Sequence, residues 1–488
     1  MNLLNSILLL PIIGVIFTYN GSFFTNKTLH KYSLYLANII FILSIVLWFF
    51  LDQSNPGFQF QTQIFMIPAL NFNVLLGVDG ISIYFLILTN LFIYICILSL
   101  SNYQTRLREN LMHLFLLQWA ISCAFSVLDI LGFFVFFEAT LIPIFFIVLI
   151  WGSRSRKVRA SYLISIYTLF GSIFMLFNII YIVSKTGITN YQHLLTITFL
   201  EEDQRFLWIT FFIAFAAKIP LFPLHIWLPE AHVEAPTIGS VLLAALLLKL
   251  GTYGLIRFCL PLFPLATIYY TPLIYTFGIC GIIYTCLTAI RQVDLKKIIA
   301  YSSVGHMNCV LIGIVTLRTE SLEGSIFQML SHGIVSGALF LCVGVIYDRH
   351  GTRFIKYYGG LTNISPLLSV IFLIFSMANI SFPGTSSFVG EFLILAGIFK
   401  ESSWVAFLTM LSMVLGAVYT LWVYNRLFFG NLKNNAIIKF SDVNKKELYI
   451  FISLIVILLV MGIYPKFFLS TFHTNVLNLV VACKNFNL

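Results

Sequence analysis

Phe215-Ala216-Ala217-Lys218-Ile219-Pro220-Leu221-Phe222-Pro223-Leu224-His225-Ile226-Trp227 is an apolar stretch carrying one lysine, two prolines and one histidine. Neither proline has a backbone N–H, so the carbonyls of Ala216 and Ile219 lose their helical partners. A helix entering this stretch must break beside a buried cation. Outward in both directions the chain stays apolar. Of its 488 residues, 60% are hydrophobic and 9% charged, and the mean hydropathy is +0.97. A soluble domain carries about a quarter charged residues. The composition therefore excludes a soluble enzyme and a disordered chain. It also excludes a nucleic-acid binder, despite a net charge of +10 and a pI near 9.1. What remains is a polytopic integral membrane protein.

Apolar runs bounded by charge or turn residues fall near 3–19, 33–51, 80–100, 111–128, 130–151, 160–184, 207–228, 236–256, 269–290, 297–317, 322–347, 364–399, 403–429 and 448–469. A span takes roughly 20 residues, so the pattern predicts an all-α integral membrane fold of about 14 transmembrane helices. Only Asp129 separates the fourth run from the fifth. The seventh holds Pro220 and Pro223, and the twelfth holds Pro383-Gly384. The first run, with Pro11 and Gly14 inside it, reads as a retained first helix. The longest polar-leaning connections, 52–79, 185–206 and 430–447, are too short for a folded domain. The chain reads as one membrane domain with N-terminal helices in 1–110, a first repeat in 111–256, a second in 269–429, and a C-terminal loop and last helix in 430–488.

Lysine and arginine concentrate on one side of a membrane protein. With residues at the ends of a run counted with the adjoining connection, nineteen of the 28 basic residues fall in odd-numbered connections and seven, Arg257 among them, in even-numbered connections and tails. Both termini are therefore expected on the positive-poor side, with the basic connection from Arg154 to Arg159 opposite. The net charge is mostly topological, with a contribution to anionic lipid binding.

Four charges sit inside apolar runs: Glu138, Lys218, Lys249 and Glu391. A charge at the bilayer centre costs ~3 kcal/mol, and four cost on the order of 10 kcal/mol. A chain keeps such groups when they face each other or water. One such residue reads as an ion pair or a snorkelling side chain. Two acids and two lysines in four runs read as a proton or ion path. Pro220 and Pro223 flank Lys218, and Pro383-Gly384-Thr385-Ser386-Ser387 precedes Glu391. Irregular backbone at membrane depth is tolerated against protein or a wet cavity, and paired breaks point to inverted-repeat transporters.

His225, His306 and His332 are candidates for supporting a relay, weighed against ordinary helix–helix hydrogen bonding. His113 reads as the ordinary kind. Glu230, His232 and Glu234 read as a solvated rim. The eight cysteines form no CxxC pair, have no histidine at zinc spacing and read as small buried side chains. No metal site is expected.

The stretch from Ala217 through His225, Pro229-Glu230, His232 and Pro236-Thr237, together with Asp294-Leu295-Lys296-Lys297-Ile298-Ile299-Ala300-Tyr301-Ser302-Ser303-Val304-Gly305-His306, resembles the antiporter-like membrane subunits of respiratory complex I, the proton-pumping NADH:ubiquinone oxidoreductase. The resemblance runs from about residue 75 to 430. It implies two inverted five-helix repeats with broken seventh and twelfth helices. Glu391, where other branches of the family carry lysine, fits the branch with a carboxylate there. By the same matching, Glu138 and Lys218 would be the input pair, Lys249 the central relay, and His306 and His332 the link toward Glu391.

No dinucleotide fingerprint, iron–sulfur cysteine set or flavin signature occurs in the sequence. The resemblance implies that NADH, FMN, iron–sulfur clusters and ubiquinone belong to partner subunits. The expected partners are other membrane-arm subunits, including sibling antiporter-like chains, and anionic lipids such as cardiolipin, with no nucleic acid. One alternative is a subunit of a multi-subunit cation/proton antiporter, which shares the Lys218 motif. Another is a structural membrane scaffold, against which the buried charges argue. The 50 Phe and 23 Tyr fit an organelle-encoded chain, and with the resemblance the expected location is the mitochondrial inner membrane, with both termini on the intermembrane-space side by the basic-residue asymmetry. A bacterial or plastid membrane is also compatible.

Overall fold

In a hydrocarbon environment the backbone must satisfy its own hydrogen bonds, so long apolar runs fold as helices. The computed structural model describes residues 2–21, 24–67, 72–100, 105–432 and 441–485. In chain order the elements are α1 Leu3–Tyr19, α2 Asn26–Phe49, β1 Gln59–Ile67, β2 Phe72–Val78, α3 Ser82–Ser99, α4 Leu107–Ser126, α5 Ile130–Ala139, α6 Leu141–Trp151, α7 Lys157–Thr186, α8 Tyr191–Leu194, α9 Glu201–Lys218, α10 Trp227–Glu234 and α11 Thr237–Leu242. They continue with α12 Leu248–Gly254, α13 Leu260–Leu262, α14 Pro264–Arg291, α15 Leu295–Val315, α16 Thr319–His350, α17 Pro366–Asn379, α18 Ser386–Glu401, α19 Ser403–Phe428, α20 Lys445–Ile463 and α21 Lys466–Asn485. Among the described residues ten helical segments are long and apolar enough to cross a membrane. One is 130–151, which joins α5 and α6, and another is the continuous helix 237–262.

The chain divides into two units, one of 1–219, 246–270 and 470–488, the other of 220–245 and 271–469. In the first, Asp129 is a structural N-cap. Its carboxylate accepts from the backbone N–H of Leu131 (2.9 Å) and Gly132 (3.0 Å) and from the Thr189 hydroxyl. It thereby satisfies donors at the start of α5. The connection 52–79 is not irregular. Its described residues include two antiparallel strands in which Gln59 pairs with Val78 and Thr62 with Leu76, so the fold is mostly helical rather than all-α. Gly80 packs against α21, where an added Cβ would meet the Thr471 carbonyl oxygen at 2.1 Å.

Arg257 departs from its sequence reading as a connection residue. It lies inside the helix 237–262, 7% exposed, and pairs with the buried Asp79 carboxylate. The apolar run near 236–256 continues for another turn beyond it, so the cation is an internal group.

In the second unit α16 and α18 lie against each other through glycines. A Cβ on Gly324 would stand 2.7 Å from the Ile394 nitrogen and 2.9 Å from the Gly390 oxygen. The long twelfth run splits into α17 and α18 around 380–385, where Gly384 has φ +92, a conformation suited to glycine. The last predicted run also splits. Helix α20 ends before Pro465 and α21 follows, because a residue before proline is driven out of helical geometry.

Candidate functional site

The first unit holds Glu138, Lys218 and Lys249. Helix α9 ends at Lys218, where the prolines forbid its continuation. The side chain is 5% exposed. Its ammonium donates to the Phe137 carbonyl (2.8 Å) and the Thr140 hydroxyl (3.1 Å) and lies 3.5 Å from the Phe137 ring centroid. The acceptors come from the junction of α5 and α6. Glu138 is next in sequence to Phe137, and Lys218 is within its electrostatic reach. Yet neither of its buried carboxylate oxygens is hydrogen-bonded. The two expected partners stand near one another without closing a salt bridge.

Lys249 is fully buried, in the seven-residue α12 between π-helical turns at Leu243–Leu247 and Leu255–Cys259. Such wide turns recur at functional positions in helices. This helix approaches α9 closely: a Cβ on Gly251 would lie 2.7 Å from Ile219 Cγ1 and 3.0 Å from the Phe215 oxygen.

The second unit brings together His306, His332 and Glu391. Glu391 is 1% exposed and sits in the second turn of α18. His306 Nδ1 lies 2.7 Å from Glu391 Oε1. The same oxygen accepts from Gln328 Nε2 at 3.1 Å. The rings of His306 and His332 stand 5.8 Å apart. Next to His332, Ser331 exchanges 2.7 Å hydrogen bonds with the hydroxyls of Ser386 and Ser387. A carboxylate held by an imidazole and an amide can keep or release a proton without leaving its seat. Gly390 makes room for the amide, since a Cβ there would lie 2.6 Å from Gln328 Oε1.

His225 is buried in the turn 219–226. Its ring neighbours are Phe222 (5.7 Å), Tyr284 (5.4 Å) and Tyr301 (6.4 Å). Among the described residues no hydrogen bond or ring contact joins it to His306, His332 or Glu391. His113 bonds the Glu109 carbonyl (2.7 Å) within its own helix.

The rim reading holds only for Glu230, which pairs with Lys297 at 2.8 Å. His232 is fully buried and Glu234 is 2% exposed. The helix α10 that carries them runs inward, packing on α15. Among the described residues no group of three His, Cys, Asp or Glu is placed to hold a metal ion. Gln328 went unseen in the sequence because it is neutral. Asp79 was hidden in a connection, 178 positions from Arg257.

Residues 127–416 match the family described as "NADH:quinone oxidoreductase/Mrp antiporter, TM". Over 98% of its length the chain is 51% identical to NADH-ubiquinone oxidoreductase chain 4 of Marchantia polymorpha, 97% of which is covered. Among solved structures, a chain of respiratory complex I from Thermus thermophilus with bound NADH superposes with a TM-score of 0.88 at 28% identity, covering 99% of this chain and 100% of that one. A chain of the Mrp complex from a Dietzia species gives a TM-score of 0.87 at 18% identity, with 99% and 100% covered, a likeness of fold alone.

Proposed function

The chain belongs to the NADH:quinone oxidoreductase/Mrp antiporter transmembrane family, and from that membership we propose that it is a proton-translocating membrane-arm subunit of NADH:ubiquinone oxidoreductase. It contributes translocation to the enzyme, while NADH, FMN, iron–sulfur clusters and ubiquinone are held by partner subunits. Its place is the mitochondrial inner membrane, beside other membrane-arm subunits, with both termini toward the intermembrane space. The proposal includes about fourteen membrane helices arranged as two inverted repeats. It also includes anionic lipid on the basic connection between α6 and α7.

The observation that carries the translocation reading is the burial of Lys218, Lys249 and Glu391, at 5%, 0% and 1% exposure. Each sits next to a break or a widened turn of its helix. In the proposal Glu138 and Lys218 load a proton, Lys249 relays it, and His306, His332 and Glu391 pass it on. Passage from the first group to the second rests on the order of these residues in the chain. Desolvation disfavours the charged form of either group, and a neighbouring opposite charge restores it. Moving two unit charges apart by a few ångströms is worth several kcal/mol at intermediate dielectric. Opening and closing the Glu138–Lys218 pair can therefore drive loading and release.

A subunit of a cation/proton antiporter is the second reading, supported by the shared family and fold. The far higher identity to a complex I chain favours the first. Co-purification with NADH-oxidising subunits, combined with proton uptake per NADH in Glu391→Gln, tests it. An assembled Glu391→Gln enzyme with undiminished pumping contradicts the reading.

A further inference from the structure

Lys296 opens α15 and is 2% exposed, although the sequence places it in a basic connection. Its ammonium donates to the Ala235 carbonyl (2.7 Å) and the Ser240 hydroxyl (3.1 Å). Lys218 makes the same pair of bonds, one carbonyl at 2.8 Å and one hydroxyl at 3.1 Å. The likeness extends to the carboxylates. Glu138 is next in sequence to Phe137, whose carbonyl accepts from Lys218, and Glu234 is next to Ala235, whose carbonyl accepts from Lys296. Both glutamates lie in the last turn of a short helix, α5 or α10. Glu234 is 2% exposed, its Oε2 is buried without a hydrogen bond, and it lies within electrostatic reach of Lys296. Neither lysine closes a salt bridge to its glutamate.

We propose that Glu234 and Lys296 form a second proton-loading pair, serving the second unit from the basic end of α15. In the loading step an N–H bond of Lys296 breaks and an O–H bond forms on Glu234 Oε2. The nitrogen keeps its electron pair, so a neutral amine and a carboxylic acid replace the ion pair; the reverse step restores it. The outlet is α15 itself. His306 lies ten residues on, about 15 Å at 1.5 Å per residue, with the buried hydroxyls of Ser302 and Ser303 between. The other charged groups around Lys296 are Arg353, Asp294 and Asp348, each acting on it more strongly than Glu234 does in this arrangement. Two of these are engaged with backbone: Asp294 accepts from the Lys296 N–H, and Arg353 donates to the Val233 carbonyl. His232 is stacked on Phe340, 4.6 Å between ring centres.

A plain cap on the carbonyls freed before Pro236 would need only a fixed cation, and arginine would serve. A lysine beside a carboxylate oxygen without a partner can also give up its proton. This inference rests on the translocation reading above, so Glu391→Gln serves as the reference. In the assembled enzyme, Lys296→Arg and Glu234→Gln are each expected to lower protons moved per NADH at least twofold and to change the pH profile of pumping. If both pump at the wild-type ratio while Glu391→Gln does not, the second pair is a structural cap and the inference fails alone. If Glu391→Gln also pumps normally, the translocation reading fails and this one with it. Should Lys296→Arg not assemble, Glu234→Gln decides, since glutamine keeps the size and polarity of the side chain.

Discussion

Lys218 binds the carbonyl of Phe137, the residue before Glu138, and leaves the Glu138 carboxylate without a hydrogen bond. The ammonium is therefore seated on neutral acceptors with its counter-charge close by, an arrangement that a small movement can close. Two sites coupled in this way respond as a unit. Glu138→Gln and Lys218→Ala are each expected to impair pumping strongly, and the double variant to be little worse than either single. Additive losses in proton translocation per NADH would separate the two residues.

Glu391 is held by His306 and Gln328 through one oxygen. Glutamine at this position can keep a carbonyl oxygen for both donors but carries no titratable proton. Glu391→Gln should assemble and lose most pumping, and Glu391→Asp should retain part of it. The comparison is made by pairing proton translocation with NADH:quinone turnover in the same preparation.

Gly390 stands where Gln328 passes α18. A side chain there would meet Gln328 Oε1 at 2.6 Å and its Cα at 2.9 Å. Gly390→Val should therefore force α16 and α18 apart at a cost of about 1–3 kcal/mol, lowering the midpoint of heat inactivation and disturbing the seat of Glu391. An unchanged midpoint would mean that the helices yield there freely.

Asp79 and Arg257 form a pair buried at 1% and 7% exposure. Asn475 on α21 also donates to Asp79, at 3.3 Å. Asp79→Ala leaves an uncompensated buried cation, which costs about 3–5 kcal/mol. Assembly yield should collapse, and Asp79→Leu combined with Arg257→Met should recover much of it. Failure of the double variant to recover would assign Arg257 a role beyond the pair.

Much of this fold was legible because burial in hydrocarbon leaves a one-dimensional record. Apolar runs mark helices, prolines mark their ends, and a lone Lys218 or Glu391 inside a run stands out. What stayed hidden depends on pairing across the chain. Asp79 reads as part of a polar connection until Arg257 lies beside it. Gln328 is neutral and leaves no trace in a charge pattern. Glu234 and Lys296 fall at helix ends, where charge is ordinary. Their burial follows from α10 packing on α15, which hydropathy does not encode. The strands Gln59–Ile67 and Phe72–Val78 escaped because they are short and lie in a connection between runs read for helical spans.

The side on which the basic connections lie is tested by labelling. With the exposed Cys280 replaced by serine, Ser155→Cys between α6 and α7 should react from the matrix, and Ser403→Cys at the start of α19 from the opposite side. Both positions are exposed. Equal reaction of Ser155→Cys from the intermembrane side would overturn the orientation.

The central claim is that buried lysines here carry protons rather than merely hold helices together, and Lys218→Arg puts it to the most direct test. Arginine keeps the positive charge and can reach the Phe137 carbonyl, but it stays protonated at any physiological pH. The measurement is protons translocated per NADH oxidised in assembled enzyme. The expected result is normal assembly with pumping reduced several-fold. Wild-type stoichiometry in Lys218→Arg would contradict the claim and leave the lysine as a structural cation.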